Sequence, residues 1–317
     1  MHAPPNDEQL VEIIGKDILE RVRVVSHEPK NKDNLVFIGT TSKGNHVWIN
    51  KVVAKADLKI ATGLIEPHCF AGYTGGRKSI LPGVTGEKTT TFNHSVEWIS
   101  NPNCTWANLN GNIAHEDMVE AAQLAHLDFI MNVVLNTKHE LVKAVAGDMI
   151  DAWKEGIKVV DEICKVKVPA KSDILITSVG GYPKDRNLFM AINAVSATYK
   201  VVKKGGSIIL VAECREGVGY ELYDWFKNAK SPDDILRKIE IEGLRMSGGE
   251  EAFWMAKFLL KDYDVYLVSE IPDKQVKKMF MKPATTVENA LKDIRRNKGK
   301  LGKILISPYS PPTIPFT

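Results

Sequence analysis

Leu10, Ile14, Ile18 and Val22 recur every fourth residue. That spacing predicts an amphipathic helix over residues 8–23. Short apolar runs at 34–41 and 57–64 predict strands. Residues 66–86 then follow no period. Helical patterns at 113–127 and 149–165 come next, with strand-like runs at 128–135 and 140–146 between them. Val166-Lys167-Val168-Pro169-Ala170 reads as a linker. Beyond it the pattern becomes regular. Strand runs at 173–179, 207–213, 264–269 and 303–307 are separated by helical patterns at 187–202, 221–229, 231–242, 250–260 and 286–298. Strands alternating with helices predict an α/β fold whose second domain is a doubly wound, mostly parallel sheet. The boundaries expected are a first domain over 1–168 that recovers 303–317, and a second over 169–302. Ligands in such sheets sit beyond the carboxyl ends of strands. Here those ends are Gly180-Gly181-Tyr182-Pro183 and residues 213–219, so the active site is expected in the cleft between the domains.

Composition narrows the class. The 317 residues are 44% hydrophobic and 26% charged, an ordinary globular balance. No apolar run approaches the roughly 20 residues that span a bilayer. The first residues lack a basic region followed by an apolar stretch, so no signal peptide is expected. Net charge is only +3. The densest basic run, 292–303, has no interleaved aromatics and reads as a solvated helix face rather than a nucleic-acid surface. Cys69, Cys104, Cys164 and Cys214 form no CxxC pair. Cys164 and Cys214 fall in apolar elements, which points to reduced thiols and the cytoplasm.

The chemistry is concentrated between Glu66 and His94. Gly72, Gly75, Gly76, Gly83 and Gly86 fall within fifteen residues, against 23 glycines in the whole chain. A loop of this kind turns tightly and lets backbone amides approach an anion, and Arg77 and Lys78 add positive charge. A phosphate-bearing ligand is the physical inference. GxxxxGK does not occur, so the loop is not a Walker A motif. His68 lies ten residues before Lys78 and His94 sixteen after it. Histidine titrates near neutrality and ligates metals. One of the two could shuttle a proton and the other bind a metal; composition does not say which.

These residues carry a resemblance. Pro67-His68-Cys69-Phe70-Ala71-Gly72-Tyr73-Thr74-Gly75-Gly76-Arg77-Lys78, then Pro82-Gly83, then Asn93-His94 is similar to the hallmark run of the nickel-dependent lactate racemase family. The likeness continues through Gly111-Asn112, Asn132-Val133, Gly180-Gly181-Tyr182-Pro183 with Asp185, Gly205-Gly206 and Ala212-Glu213-Cys214. It implies a nickel-pincer cofactor, the nickel complex of pyridinium-3,5-bisthiocarboxylic acid mononucleotide, held covalently by Lys78. Gly72, Gly75, Gly76, Arg77 and Trp254 would surround it, and His94 would ligate nickel. His68 and His2 would act as acid and base on opposite faces of a 2-hydroxy acid. Hydride transfer through the cofactor would make a planar 2-oxo acid, and its return to the other face would invert the carbon. Cofactor-synthesis proteins are the implied partners.

Two departures from the family change the expectation. Relatives carry a further N-terminal segment with an Asp and an Arg near the cofactor, whereas this sequence starts just before the position of His2. In addition, the family's YQAxK run reads Phe189-Met190-Ala191-Ile192-Asn193. Phe189, Met190 and Asn193 thus stand where the family binds substrate, with an amide in place of an ammonium. That weakens the grip on a small carboxylate and implies a larger or less charged 2-hydroxy acid, or a sugar acid, rather than lactate. The bland alternative buries Met190 and Asn193 in the core. Trp254 likewise has a core reading beside the cofactor one, while His27, His46, His115, His126 and His139 read as structural or surface residues. The functional alternative is a non-catalytic nucleotide-binding or regulatory protein of the same fold.

Overall fold

A computed structural model of the chain describes residues 5–244 and 247–317. His2, and the acid–base role expected of it, lie outside the described residues. The N-terminal helical pattern does not run through. Asp7–Ile14 is helical and opens on a reciprocal cap, in which the Asn6 side chain accepts from the Gln9 amide and the Gln9 side chain from the Asn6 amide. Gly15 at φ +89° ends it, and a single turn, Lys16–Leu19, follows. None of these helical residues is buried.

The second half folds as its period predicts. Lys282–Ala284, Asp264–Val268, Val202–Val211, Ser172–Thr177 and Ile304–Ser307 lie side by side in that order, every pair parallel. Successive residues face opposite sides of a strand. Leu175, Ile208, Leu210, Val265 and Leu267 therefore meet the large core around helix Leu188–Thr198. Ile174, Ile209 and Tyr266 instead meet Ala290 and Ile294 of helix Val287–Lys298. Apolar residues at every position along these strands are thus accounted for by helices on both faces.

One boundary needs correction. Residues 303–317 were expected to rejoin the first domain. Ile304–Ser307 is instead an edge strand of the second sheet, in register with Ser172–Thr177. Only Ile314–Phe316 turns back, to lie beside Lys165–Lys167 at the linker. The hydrophobic pattern marks 303–307 as a strand but carries no information about its partner. The two parallel strands end side by side, at the edge of the sheet where ligands of such folds bind. There the Ser310 amide donates to the Ser178 carbonyl over 2.9 Å.

The first half packs around a mixed sheet of Ile60–Leu64, Phe129–Leu135 and Leu141–Gly147, and a hairpin of Leu35–Thr40 and His46–Asn50. Helices Ile113–Leu124 and Asp151–Cys164 help close its core, which includes Ile65, Ile130, Met118 and Trp153. The aperiodic stretch is ordered as a short antiparallel pairing of Pro67–His68 with Gly72–Tyr73, a 3-10 turn over Gly76–Ser79, and helix Glu87–Asn93. Among the described residues no helix is long and apolar enough to cross a membrane.

Candidate active site

Two cavities open between the two halves and share a wall. One, of about 390 Å³, is lined by His68, Lys184, Met190 and Pro311 among others. The other, of about 230 Å³, is lined by Trp254, Glu250, Glu251 and Lys200 among others. Cys69, Trp106 and Asn193 line both. The cleft is therefore built by the Pro67–Tyr73 hairpin on one side and helix Leu188–Thr198 on the other.

His68 sits on the hairpin with its ring fixed from below. The amides of Phe70 and Ala71 both donate to its Nδ1 over 3.2 Å. A nitrogen that accepts carries no proton, so the neutral ring holds its proton on Nε2. His94 is the opposite case. It caps helix Glu87–Asn93, and its Nδ1 lies 3.0 Å from the Thr90 carbonyl oxygen, which can only accept. The proton is then on Nδ1 and the lone pair on Nε2. Phe70 packs against this ring at 5.0 Å between centroids.

The Asn93-His94 pair owes its place to a buried network. Asn93 donates through Nδ2 to Asp117 over 2.8 Å and to the Ala114 carbonyl over 3.1 Å. Asp117 also accepts from Thr41 and Asn45. Asn93 thus pins the end of the helix, and with it His94, onto helix Ile113–Leu124.

Burial dominates the electrostatics. It lowers the His94 ring to about 4, with repulsion from Lys78 adding to it, and His68 falls well below the usual imidazole range for the same reasons. Burial also brings the Lys78 ammonium down to about 8. His68, Lys78 and His94 are therefore brought within electrostatic reach of one another. The surrounding cleft walls raise the Cys69 thiol above its ordinary value, although the residue itself is exposed to the cleft.

Other expected residues are used differently. Arg77 was expected to offer its charge to an anion, but it is wholly buried. Its guanidinium donates to the Ala71 carbonyl over 2.7 Å, the Gly75 carbonyl over 3.3 Å and His115 Nδ1 over 3.0 Å, and lies 3.9 Å above the Trp153 ring. It ties the loop to itself. The glycines are also occupied from within. A Cβ on Gly72 would come 2.5 Å from the Asn108 carbonyl oxygen, and one on Gly75 3.0 Å from Asn132, both at φ +76°. Gly76 backs onto Trp153 and gives its amide to Asn132. Tight packing and ligand cradling leave the same mark in a sequence, which is why the loop reads as an anion site.

On the facing helix, Met190 and Asn193 are half-buried and line the cleft, so the core reading fails for them. Phe189 does not join them. One residue along the helix turns the side chain about 100°, a consequence of 3.6 residues per turn, and Phe189 packs on Tyr220 at 4.4 Å between centroids. Trp254 lines the smaller cavity, edge-on to Tyr199 at 5.3 Å. Its helix, Gly249–Trp254, widens into a π-helical turn over Met255–Leu259.

Sequence reasoning missed several cleft residues. Trp106 Nε1 donates to Ser196 Oγ over 2.9 Å and Lys200 Nζ to Thr105 Oγ1 over 3.0 Å, joining the two halves. Lys184, Glu250 and Glu251 also went unmarked. Lys184 stands beside a motif already singled out, so proximity to Gly180–Pro183 was a usable signal. Nothing local distinguishes Glu250-Glu251 from any acidic pair at a helix start.

Residues 1–107 match the family described as lactate racemase N-terminal domain, and residues 167–310 that described as lactate racemase C-terminal domain. The chain belongs to the lactate racemase family. The lactate racemase of Thermoanaerobacterium thermosaccharolyticum is 40% identical over 298 residues, covering 92% of this chain and 69% of that protein. The one from Lactiplantibacillus plantarum is 37% identical over 311 residues, covering 97% of this chain and 73% of that protein. The solved lactate racemase apoprotein from T. thermosaccharolyticum superposes with a TM-score of 0.94 at 38% identity, over all of this chain and 76% of the other. A Thermotoga maritima protein, 14% identical with a TM-score of 0.68, shares the fold alone. This family member is an isomerase of the racemase type, and the non-catalytic alternative gives way to that.

Proposed function

We propose that this racemase inverts C2 of a 2-hydroxy acid other than lactate, using a nickel-pincer mononucleotide bound in the cleft and joined to Lys78. His94 is the observation that carries the reading. A neutral imidazole whose Nδ1–H is tied to a backbone carbonyl offers its Nε2 lone pair in fixed orientation, as metal-ligating histidines do. One such nitrogen beside sulfur donors suits nickel(II). Lys78 fits the tether, because an amine lowered to about 8 has an appreciable neutral, nucleophilic fraction near neutral pH. When bound, the cofactor supplies a reversible hydride acceptor for the alcohol carbon.

The chain's own residues do the rest. Trp254 offers an aromatic face to the ring of the mononucleotide. His68 meets the substrate hydroxyl through Nε2. In the resting tautomer it donates there and orients the oxygen. To take the hydroxyl proton at Nε2 the ring must carry its other proton on Nδ1, which displaces the Phe70 and Ala71 amides. Acid–base work by His68 is therefore coupled to a small turn of residues 68–71. Met190 and Asn193 bring no charge to the substrate, which supports an acid other than lactate.

The test is protein produced together with the cofactor-synthesis proteins. About one nickel per chain and a covalent mass increment on the Lys78 peptide are expected, both lost in Lys78→Ala, where the peptide stays unmodified. Inversion of 2-hydroxy acids by protein that carries neither nickel nor the increment would overturn the reading.

A further inference from the structure

Asp161 carries its charge where a helix disfavours it. It stands in the last turn of helix Asp151–Cys164, at the negative end of the helix dipole. It lines neither cavity. Its side chain is only partly exposed, and both oxygens are taken. Oδ1 accepts from the Tyr73 hydroxyl, and Oδ2 lies 2.8 Å from the Lys165 ammonium. Lys165 opens the short strand at the linker and pairs there with Ile314. One carboxylate thus joins the linker to the ring of Tyr73.

Tyr73 in turn belongs to the hairpin that holds His68. The hairpin has two residue pairs, Pro67 with Tyr73 and His68 with Gly72. So short a ladder is not stable by itself. It is fastened through its second strand. The Ala107 amide donates to the Gly72 carbonyl over 3.0 Å. The Tyr73 side chain is buried and meets Trp153 edge-on at 6.4 Å between centroids. The Ala107 carbonyl, 3.2 Å from the Tyr73 hydroxyl, is by itself an adequate acceptor for a buried phenol. The carboxylate is the firmer one, because charge-assisted hydrogen bonds are about twice as strong as neutral ones. Burial, with Asp161 adding to it, holds the phenol well above its ordinary range, so it keeps its proton and stays a donor.

We propose that Asp161 is a positioning residue for His68. By anchoring Tyr73 it fixes the strand against which residues 68–71 turn, and so keeps the Phe70 and Ala71 amides on His68 Nδ1. This rests on the reading of His68 as the acid–base group and deepens it. The ring presents Nε2 because a carboxylate outside the cleft holds the hairpin that carries it.

The experiment follows amide exchange in the nitrogen-15-labelled apoprotein. In Asp161→Asn the amides of Phe70 and Ala71 should exchange about 10- to 100-fold faster, the scale of one hydrogen bond to a charged group. The amides of strand Phe129–Leu135, in the same half, should keep their rates. Nitrogen NMR should find part of the His68 ring with its proton moved to Nδ1. Tyr73→Phe should do the same without altering the charge. The double variant should add little to either, because both changes remove one contact. Exchange at Phe70 and Ala71 that is unchanged in both variants, or raised equally along Phe129–Leu135, overturns the inference. If Asp161→Asn does not melt cooperatively, Tyr73→Phe decides it alone. No cofactor is needed, so the outcome does not depend on whether His68 is the acid–base group. That reading falls separately if cofactor-loaded His68→Ala inverts 2-hydroxy acids at the rate of the unaltered enzyme.

Discussion

His68 and His94 differ in which nitrogen the backbone takes, and that difference is measurable without turnover. In the free protein, nitrogen NMR should find His68 neutral with its proton on Nε2 and His94 neutral with its proton on Nδ1. The reverse assignment for His94 would remove the argument for metal ligation. Their titration has a sign. Each ring has a folded pKa below its unfolded value, so the unfolded chain binds protons first as pH falls. The contribution of His94 is complete above about 6.5 and is lost as pH falls from there towards about 4. The apoprotein's melting temperature should fall across that window, and His94→Gln should flatten the fall. A melting profile unchanged by the variant would show that His94 is not the group responsible. Arg77 makes the opposite lesson at the same scale. Its residue type suggested a ligand, but its hydrogen bonds and its stack on Trp153 are internal. Arg77→Met should destabilise by about 3 kcal/mol, since it removes three hydrogen bonds made by a buried charged group and leaves His115 Nδ1 without its donor, and chemical denaturation reads this directly.

Among the elements, regular ones were legible and irregular ones were not. The alternating strands and helices after residue 170 follow from period-two and period-3.6 apolar positions, and the fold satisfies them on both faces of one sheet. The Pro67–Tyr73 hairpin, the Gly76–Ser79 turn and helix Glu87–Asn93 carry no such period. Their shape comes from contacts distant in sequence, such as Asn93 with Asp117 or Gly72 with Asn108. The motif in this stretch marked where the chemistry lies, yet the Cβ direction of its glycines faces protein. Gly72→Ala tests this. At φ +76° with a carbonyl oxygen 2.5 Å from the new Cβ, it should destabilise by at least about 1–3 kcal/mol. It should also displace His68, which pairs with Gly72 in the hairpin. Asn93→Ala should weaken nickel retention by about 10- to 100-fold, the usual effect of losing a residue that orients a ligand. Equilibrium dialysis of the loaded protein checks it. Retention equal to that of the unaltered protein would show that Asn93 only braces the helix.

For the whole molecule, the site was legible from the hairpin side and only half legible from the other. Met190 and Asn193 were found through the family run that they replace, whereas Glu250, Glu251 and Lys200 enter the cleft through tertiary packing that no local pattern records. The strand Ile304–Ser307 was recognised as a strand, but its seat in the second sheet depended on pairing. The bond from Trp106 to Ser196 has a mechanical meaning. Ser196 belongs to the same helix as Met190 and Asn193, so a ring anchored in the first half works as a stay on that wall of the cleft. Any motion that parts the two halves must slacken that stay. Trp106→Phe keeps the ring and removes the tether. It should let the apoprotein take up cofactor faster while raising KM more than it lowers kcat, so that readiness to load and tightness of hold are set against each other by a single indole N–H.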